Sequence, residues 1–246
     1  MLFLISSSTL FAQKLPVCIV YIGDSITAGA GLSDPAIQAP PVIASAYLQK
    51  RLSSDTIILS NQGRSGFTTV DFLPSGDKFI RVEQAASALP AKQGLLIFSI
   101  MLGTNDSAIK GPNGAPVAAE DYLKNLKTII DRLLKDYTGC KIVIQQPVWY
   151  SPNTYNGAQY LQEGLDRLQS YFPKIKGLVE SYRRNYKNQV FMGDTKAFDH
   201  FKNNYTNDFQ PENGHQGIFY LHPNQAGAVA LGNFWGEAIY KVIDRK

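Results

Sequence analysis

A serine, an asparagine and a histidine lie in three short polar stretches of this chain and could carry out chemistry together. Ser25 lies in YIGDSITAGAG, Asn105 in GTND and His222 in HPN. A serine hydroxyl beside an imidazole base is the pair that nucleophilic acyl transfer requires, and an amide N–H can stabilise the oxyanion that forms. Acyl transfer is therefore the first chemistry to weigh against the rest of the sequence.

The serine stretch is ambiguous when it is taken alone. Its Gly-x-Ser beginning suggests a hydrolase, but Thr27 stands where the second glycine of a Gly-x-Ser-x-Gly elbow belongs. A phosphate loop is excluded because no Gly-Lys-Ser/Thr follows. A dinucleotide pattern can be started at Gly29 and Gly31, but Asp34 interrupts it. Ser25 could instead simply cap a helix, since serine is a preferred capping residue.

Short apolar runs alternate with longer segments of helical periodicity. The predicted strands are 17–23, 56–62, 94–102, 141–148 and 189–194. The predicted helices are 41–52, 79–89, 117–137, 159–186 with a break near Pro173, and a last helix from Pro223. Nearly continuous β-branched runs are typical of strands that are buried on both faces. The sequence thus predicts a single α/β domain with a doubly wound, flavodoxin-like parallel sheet of five strands flanked by helices.

The composition fits one globular domain and excludes several classes of function. The chain has 246 residues, 44% of them hydrophobic and 18% charged, with a net charge of +4. This length can bury a large core without metals or disulfides. The basic residues are scattered rather than concentrated in a stripe, so we expect no nucleic-acid partner. Cys18 and Cys140 each adjoin an apolar run; an exported protein could bridge them, but two buried, unpaired thiols are the expectation.

The first residues suggest export. Residues 1–12, MLFLISSSTLFA, are apolar and then small, like the later part of a secretory signal peptide cleaved near Ala12. The basic segment that usually opens such a peptide is missing, and a packed or disordered tail is the alternative. We therefore expect a periplasmic or secreted protein whose residues 13–246 form the functional domain. The run is too short to span a bilayer, and we expect no membrane insertion.

The residues with chemical potential all fall at one edge of the predicted sheet. Ser25 follows the first strand, Gly66 closes the NQGRSG turn after the second, and Asn105 follows the third. His222 directly precedes the last helix. Because ligands of doubly wound sheets bind beyond the carboxyl ends of the strands, we expect these four residues to meet there. Asn105 could instead belong to an ordinary turn, and His222 could merely anchor the last helix.

These four blocks, in this order, resemble the SGNH hydrolases, also called the GDSL esterase/lipase family. GDSI stands for the family's Gly-Asp-Ser-Leu, and GTND for its Gly-x-Asn-Asp. The resemblance implies that Ser25 is the nucleophile and His222 the base. It also implies an oxyanion hole formed by the backbone N–H groups of Ser25 and Gly66 and the side-chain amide of Asn105.

We expect neither a cofactor nor a metal. The chain has three histidines and no carboxylates at ligand spacing beside them. His200 and His215 are rival candidates for the base, but each lies in a polar stretch with no clear helix after it. Surface or loop-bracing roles are the expectation for both.

The sequence departs from the family at the third member of the catalytic set. The family places an aspartate three residues before the histidine, and Phe219 occupies that position here. Its task would be to orient the imidazole and stabilise its protonated form. A backbone carbonyl could replace it, a nearby acid such as Asp208 or Glu212 could fold back, or the protein could be catalytically weak.

The substrate is suggested by aromatic residues and by the resemblance. Four aromatic residues follow the fourth strand and are candidates for a rim that stacks on sugar rings: Trp149, Tyr150, Tyr155 and Tyr160. Trp149 and Tyr150 could instead simply pack a loop. The polar loop 110–118 resembles loops of exported family members that remove O-acetyl groups from carbohydrates. The expected substrate is therefore a small-molecule or oligosaccharide ester. A lysophospholipase or thioesterase is one alternative, and a non-catalytic carbohydrate-binding relative is another.

Overall fold

The protein is built on a five-stranded parallel sheet. The computed structural model describes residues 15–52, 56–91 and 94–244. The strands are β1 Val17–Gly23, β2 Ile57–Asn61, β3 Leu95–Met101, β4 Lys141–Ile144 and β5 Val190–Met192. Their order across the sheet is β2-β1-β3-β4-β5. This is the flavodoxin-like order, so the fold class predicted from the sequence is confirmed.

The sheet is parallel throughout, and helices cover both of its faces. Its inner strands β1 and β3 are buried, whereas the edge strand β2 is half-buried. Every residue of β1 is buried, and its register places Val20 opposite Ser60 of β2 and Phe98 of β3. Strands covered on both sides read as continuous apolar runs, which explains why the sequence located them well. Reversal of the connection direction between β1 and β3 opens a crevice beyond the carboxyl ends of these strands.

Eight helices are present among the described residues. Their bounds are α1 Ser25–Ala28, α2 Pro35–Gln38, α3 Pro40–Arg51, α4 Asp77–Ala88, α5 Ala119–Asp136, α6 Leu161–Tyr182, α7 Ala197–Asp208 and α8 Gln225–Ile243. One layer contains α3, α8 and α7, in which α8 contacts both of the others. In the other layer α5 packs on α6, and Arg132 of α5 pairs with Glu83 of α4 at 2.7 Å.

Three details differ from the sequence-based expectations. Helix α6 runs unbroken through Pro173, because buried residues on either side of it, such as Tyr171 and Ile175, fix the helix by packing. Helix α8 begins at Gln225 rather than Pro223, and the Asn224 side chain caps it by accepting from the Gly227 N–H at 3.0 Å. The stretches AFDHF and ENGHQG around His200 and His215, expected as polar loops, belong to α7 and to a two-stranded hairpin.

That hairpin lies outside the main sheet and matters for the site. Its antiparallel strands are β6 Glu212–Gly214 and β7 Gly217–Phe219. A two-residue turn, His215 and Gln216, joins them. The connection brings the chain back from α7 to the edge at which β1 and β3 end.

Two further expectations concern the cysteines and the N-terminus. Cys18 and Cys140 are buried and unpaired, as expected. Residues 1–12, where a signal peptide is predicted, lie outside the described residues. No described helix combines the length and the apolar character needed to cross a membrane.

Candidate active site

The serine loop is a tight turn between β1 and α1. Asp24 caps α1, and its carboxylate accepts the Ile26 N–H at 2.9 Å. Ser25 is therefore the first residue of the helix and not its cap, which leaves the serine hydroxyl available for another partner. Gly23 has no space for a side chain, since a Cβ there would lie 2.0 Å from Thr27 Oγ1. The glycine permits the close packing that brings Ser25 to the strand end.

Ser25, His222 and Glu212 form a continuous hydrogen-bonded chain. His222 Nε2 lies 2.9 Å from Ser25 Oγ. On the other side of the ring, Nδ1 lies 2.9 Å from Glu212 Oε1 and 3.0 Å from Oε2. The same carboxylate also accepts the backbone N–H of His222 at 3.1 Å. When the ring proton is on Nδ1 and is donated to the Glu212 carboxylate, Nε2 is the nitrogen that can accept a proton from the serine.

The hairpin explains how Glu212 reaches His222 although position 219 is a phenylalanine. In the β6–β7 register, Glu212 lies directly opposite Phe219. Side chains of directly opposed residues project from the same face, with Cβ atoms about 5 Å apart. Phe219 is buried in the core, and the carboxylate comes from the neighbouring strand at the same level. The longer glutamate side chain reaches the imidazole across this gap.

Asp208, the other acid considered, lies elsewhere. It ends α7, and its Oδ2 lies 2.8 Å from Nε2 of His200, on the same helix. The expectation that Asp208 could support His222 is therefore wrong, because its carboxylate faces a different histidine. The ring of His215 packs against Tyr155, with centroids 4.4 Å apart. Neither His200 nor His215 contacts Ser25, since each is engaged with these other partners.

The hairpin is held against the loop that follows β4. The Ser151 N–H donates to the Tyr220 carbonyl at 2.9 Å, and the Tyr220 N–H donates to Ser151 Oγ at 2.8 Å. Asn153 Nδ2 donates to the Ile218 carbonyl at 2.8 Å. These bonds fix β7 from its outer side, and through the β6–β7 ladder they also fix the backbone of Glu212.

The predicted oxyanion-hole residues line the same cleft as Ser25. The cleft has a volume of about 400 Å³ and is bordered by Gly66, Asn105 and His222 among others. Gly66 has φ of +79°, a conformation that favours glycine, and a Cβ there would meet open space. The nearly buried Asn105 donates from Nδ2 to the Phe67 carbonyl at 2.9 Å. The structure thus brings Ser25, Gly66, Asn105 and His222 together at one edge of the sheet.

Two buried aspartates stand behind the cleft. Burial raises the pKa of Asp24 to about 6 and the pKa of Asp106 to about 7. For Asp106 the hydrogen bonds from the Thr69 N–H and hydroxyl oppose this rise, and the neighbouring charge of Asp24 adds to it. Asp106 accepts the Thr69 N–H at 2.9 Å and thereby ties the loop after β2 to the loop after β3. The two loops that carry Gly66 and Asn105 are held together in this way.

The predicted aromatic rim is wrong for Trp149 and Tyr150. Trp149 and Tyr150 are both buried, the tryptophan among Tyr205 and Phe209, and the tyrosine with its hydroxyl 2.9 Å from Ser107 Oγ. They pack the loop after β4, which was the alternative interpretation. Tyr160, another residue of the predicted rim, does border the cleft.

Several solved structures share the fold of this chain. A carbohydrate acetylesterase from Sinorhizobium meliloti, Est24, has a TM-score of 0.61 and 17% identity over 92% of this chain and 99% of that one. LAE5, an α/β-hydrolase enzyme from the metagenome of Lake Arreo, Spain, has a TM-score of 0.63 and 21% identity over 93% and 97%. A catalytic mutant of Axe2, an acetylxylan esterase from Geobacillus stearothermophilus, has a TM-score of 0.59 and 19% identity over 93% and 94%.

Sequence comparison gives the family. Residues 21–230 match the model of the GDSL-like Lipase/Acylhydrolase family, so this chain belongs to that family. The predicted resemblance to GDSL hydrolases is confirmed. A comparison with curated proteins gave no match. The chain is accordingly a GDSL-type hydrolase with the SGNH fold.

Proposed function

We propose that this protein is a serine esterase that removes O-acetyl groups from carbohydrates. The observation that carries the proposal is the chain of contacts from Ser25 through His222 to Glu212, which opens onto a cleft bordered by Gly66 and Asn105. These are a nucleophile, a base, a group that orients the base, and donors for an oxyanion, the set that acyl transfer needs.

In this mechanism Ser25 Oγ attacks the ester carbonyl while His222 Nε2 takes the serine proton. Glu212 stabilises the imidazolium that forms, and it stays ionised throughout. The negative charge on the former carbonyl oxygen is held by the N–H groups of Ser25 and Gly66 and by Asn105 Nδ2. His222 then returns the proton to the leaving alcohol. Water, activated by the same histidine, hydrolyses the acyl-serine and releases the acid.

The walls of the cleft support a short acyl group. Small residues border it, among them Ala30, Gly111, Gly157 and Ala158, and its volume is about 400 Å³. A long acyl chain would need an extended apolar groove, whereas an acetyl group fits beside the serine. The acetylesterase descriptions of two structural neighbours agree with this substrate class. The apolar sequence of residues 1–12 supports export, which would bring the protein to such carbohydrates.

The test is acetate release from p-nitrophenyl acetate and from an acetylated oligosaccharide. We expect turnover in the wild type and a loss of about 10⁴- to 10⁶-fold in kcat for Ser25→Ala. Ser33→Ala is the matched control, because Ser33 is an exposed serine in the turn that follows α1. A fluorophosphonate should label the wild type and the control but not Ser25→Ala.

A series of nitrophenyl esters with increasing acyl length separates the substrate classes. The proposal predicts that kcat/KM is highest for acetate and falls as the chain lengthens. A rise with chain length would favour a lysophospholipase or thioesterase. Binding of the oligosaccharide without turnover, together with no labelling of Ser25, would contradict the esterase and favour a carbohydrate-binding relative.

A further inference from the structure

The Tyr160 hydroxyl contacts Asn105, a residue of the proposed oxyanion hole. We propose that Tyr160 is a positioning residue that orients and polarises the Asn105 carboxamide, so that an Asn105 N–H faces the developing oxyanion. This inference rests on the proposed esterase function and adds a residue to its oxyanion hole.

The contact is short and buried. The Tyr160 hydroxyl donates to Asn105 Oδ1 at 2.6 Å, and both side chains are nearly inaccessible to solvent. On the other side of the amide, Nδ2 donates to the Phe67 carbonyl at 2.9 Å. Hydrogen bonds therefore fix both ends of the amide: its oxygen accepts from Tyr160, and its nitrogen donates to the Phe67 carbonyl.

These two hydrogen bonds decide whether the amide nitrogen or the amide oxygen faces the cleft. A carboxamide nitrogen carries two hydrogens, and its oxygen can only accept. Among the residues that the structure describes, only the Phe67 carbonyl accepts from Asn105 Nδ2, so the second hydrogen is left for a ligand. A flipped amide would present an acceptor oxygen to the oxyanion and repel it. The tyrosine hydroxyl would then face the NH₂ group, and its hydrogen bond to the amide oxygen would be lost.

The hydrogen bond also acts on the donor strength of the amide. A proton donor on Oδ1 draws electron density toward the oxygen and makes the N–H hydrogens more positive, because linked hydrogen bonds polarise one another. Burial raises the pKa of Tyr160, which keeps the phenol protonated and able to donate. The effect is strongest when charge develops on the substrate, so it stabilises the transition state more than the bound ester.

The backbone holds Tyr160 firmly in this place. The N–H groups of Tyr160 and Leu161 both donate to the Thr154 carbonyl, at 3.1 and 3.2 Å. Leu161 has φ of +53°, a left-handed conformation that is unfavourable for a residue with a side chain. Such a conformation persists only where its surroundings enforce it, and it occurs often at functional sites. Here it marks the sharp entry into α6 that directs Tyr160 toward the cleft.

The first test is Tyr160→Phe, which removes only the hydroxyl. We expect kcat on acetyl esters to fall about 10-fold with KM nearly unchanged, because the lost interaction is realised in the transition state. Tyr21→Phe is the matched control, since Tyr21 is a buried tyrosine whose hydroxyl contacts Ser45 instead of Asn105. A rise in KM with kcat preserved would show that Tyr160 binds substrate, and it would overturn the inference.

A double-mutant cycle shows whether Tyr160 acts through Asn105. Asn105→Ala should reduce kcat by about 10²- to 10³-fold. Adding Tyr160→Phe to that variant should change kcat by less than about twofold, because the group that Tyr160 positions is already gone. An undiminished 10-fold loss in the Asn105→Ala background would contradict the inference.

A spectroscopic readout keeps the inference separate from the esterase proposal. In a ¹H–¹⁵N spectrum the Asn105 side-chain NH₂ signals, identified by their absence in Asn105→Ala, should shift in Tyr160→Phe and stay in place in Tyr21→Phe. If the wild type turns over esters but the signals and kcat are unaffected by Tyr160→Phe, only this inference fails. If the wild type turns over no ester, the esterase proposal fails, and the NH₂ signals alone decide whether Tyr160 orients Asn105.

Discussion

Two regions of the molecule supply the site, and they are built differently. Ser25 and Asn105 follow β1 and β3, two neighbouring inner strands of the sheet, and both are buried. Glu212 comes from the β6–β7 hairpin outside the sheet, and a quarter of its side chain is exposed. His222 follows this hairpin and joins the two regions, because its ring contacts Ser25 on one side and Glu212 on the other.

The difference shows which parts of such a site can be exchanged. The positions of Ser25 and Asn105 depend on the register of a buried parallel sheet. Each residue therefore has one position from which its side chain reaches the cleft. The hairpin has only to place a carboxylate near His222 Nδ1. Positions 212 and 219 lie opposite each other in the ladder and project from one face, and here the carboxylate comes from position 212. In this chain Glu212 of β6 contacts Nδ1, and Phe219, opposite it on β7, is buried in the core.

The largest effect on this comparison should come from Glu212→Gln. We expect kcat/KM on acetyl esters to fall by about 10³- to 10⁴-fold, the scale seen when the acid of a serine–histidine–aspartate triad is neutralised. The amide keeps the size of the glutamate but loses the charge that stabilises the imidazolium. The measurement is steady-state kinetics, with thermal unfolding to show that the variant is folded.

Asp208→Asn is the matched control for that measurement. Its carboxylate pairs with His200, so kcat/KM should stay within about twofold of the wild type. A small effect of Glu212→Gln would mean that the hairpin supplies position but no electrostatic support. Equal losses for the two variants would also break the comparison, since they would reflect general damage to the 197–222 region.

A smaller effect, on the free energy of unfolding, is expected from Asp106→Asn in the loop that follows β3. Burial raises the Asp106 pKa to about 7 in the folded protein, against about 3.9 for an unfolded chain. Folded protein therefore binds the extra proton between these values, and the unfolding free energy falls as pH rises through this window. Asparagine cannot ionise, and its oxygen can still accept from Thr69. The D106N variant should therefore lose less stability than the wild type between about pH 4.5 and pH 8, by roughly 1–3 kcal/mol.

Denaturant unfolding at the two pH values checks this expectation. Near pH 4.5 the protonated aspartate and the asparagine are nearly isosteric, so the two proteins should have similar unfolding free energies, which serves as the internal control. Identical pH slopes for the variant and the wild type would contradict the raised pKa. They would show that Asp106 binds Thr69 as an ionised carboxylate at all of these pH values.

The residues that follow β1, β2 and β3 could be predicted from the sequence because their positions depend on local patterns along the chain. Buried parallel strands read as continuous apolar runs, and the residues that follow them must lie at one edge of the sheet. Gly66 and Asn105 could be placed in this way without any knowledge of side-chain contacts. The boundaries of α8 were less certain, because Pro223 and Asn224 are both good residues for a helix start.

The hairpin could not be assigned in the same way. Its strands have three residues each, too short for a periodic pattern, and its register depends on the turn. A signal was present in ENGHQG, where Gly214 and Gly217 flank a two-residue turn and Gly217 has φ of +86°. Read as a hairpin, this segment would have set Glu212 opposite Phe219 and favoured it over Asp208.

The aromatic residues after β4 show a different limit. Trp149, Tyr150 and Tyr160 have similar chemistry and lie close together in sequence, but only Tyr160 borders the cleft. Which of them faces the cleft depends on the path of the loop, which ends at Leu161 in a left-handed conformation. Composition alone contains no information about that path.

The most direct test of the account is whether Glu212 holds the Nδ1 proton of His222 in solution. In ¹H NMR a ring N–H donated to a carboxylate gives a strongly downfield signal, which ¹⁵N labelling of histidine assigns to a ring nitrogen. The account predicts such a signal for His222 in the wild type and in Asp208→Asn, and its loss or marked upfield shift in Glu212→Gln. A His222 signal that is unchanged in Glu212→Gln would contradict the central claim that the hairpin supplies the acid from β6.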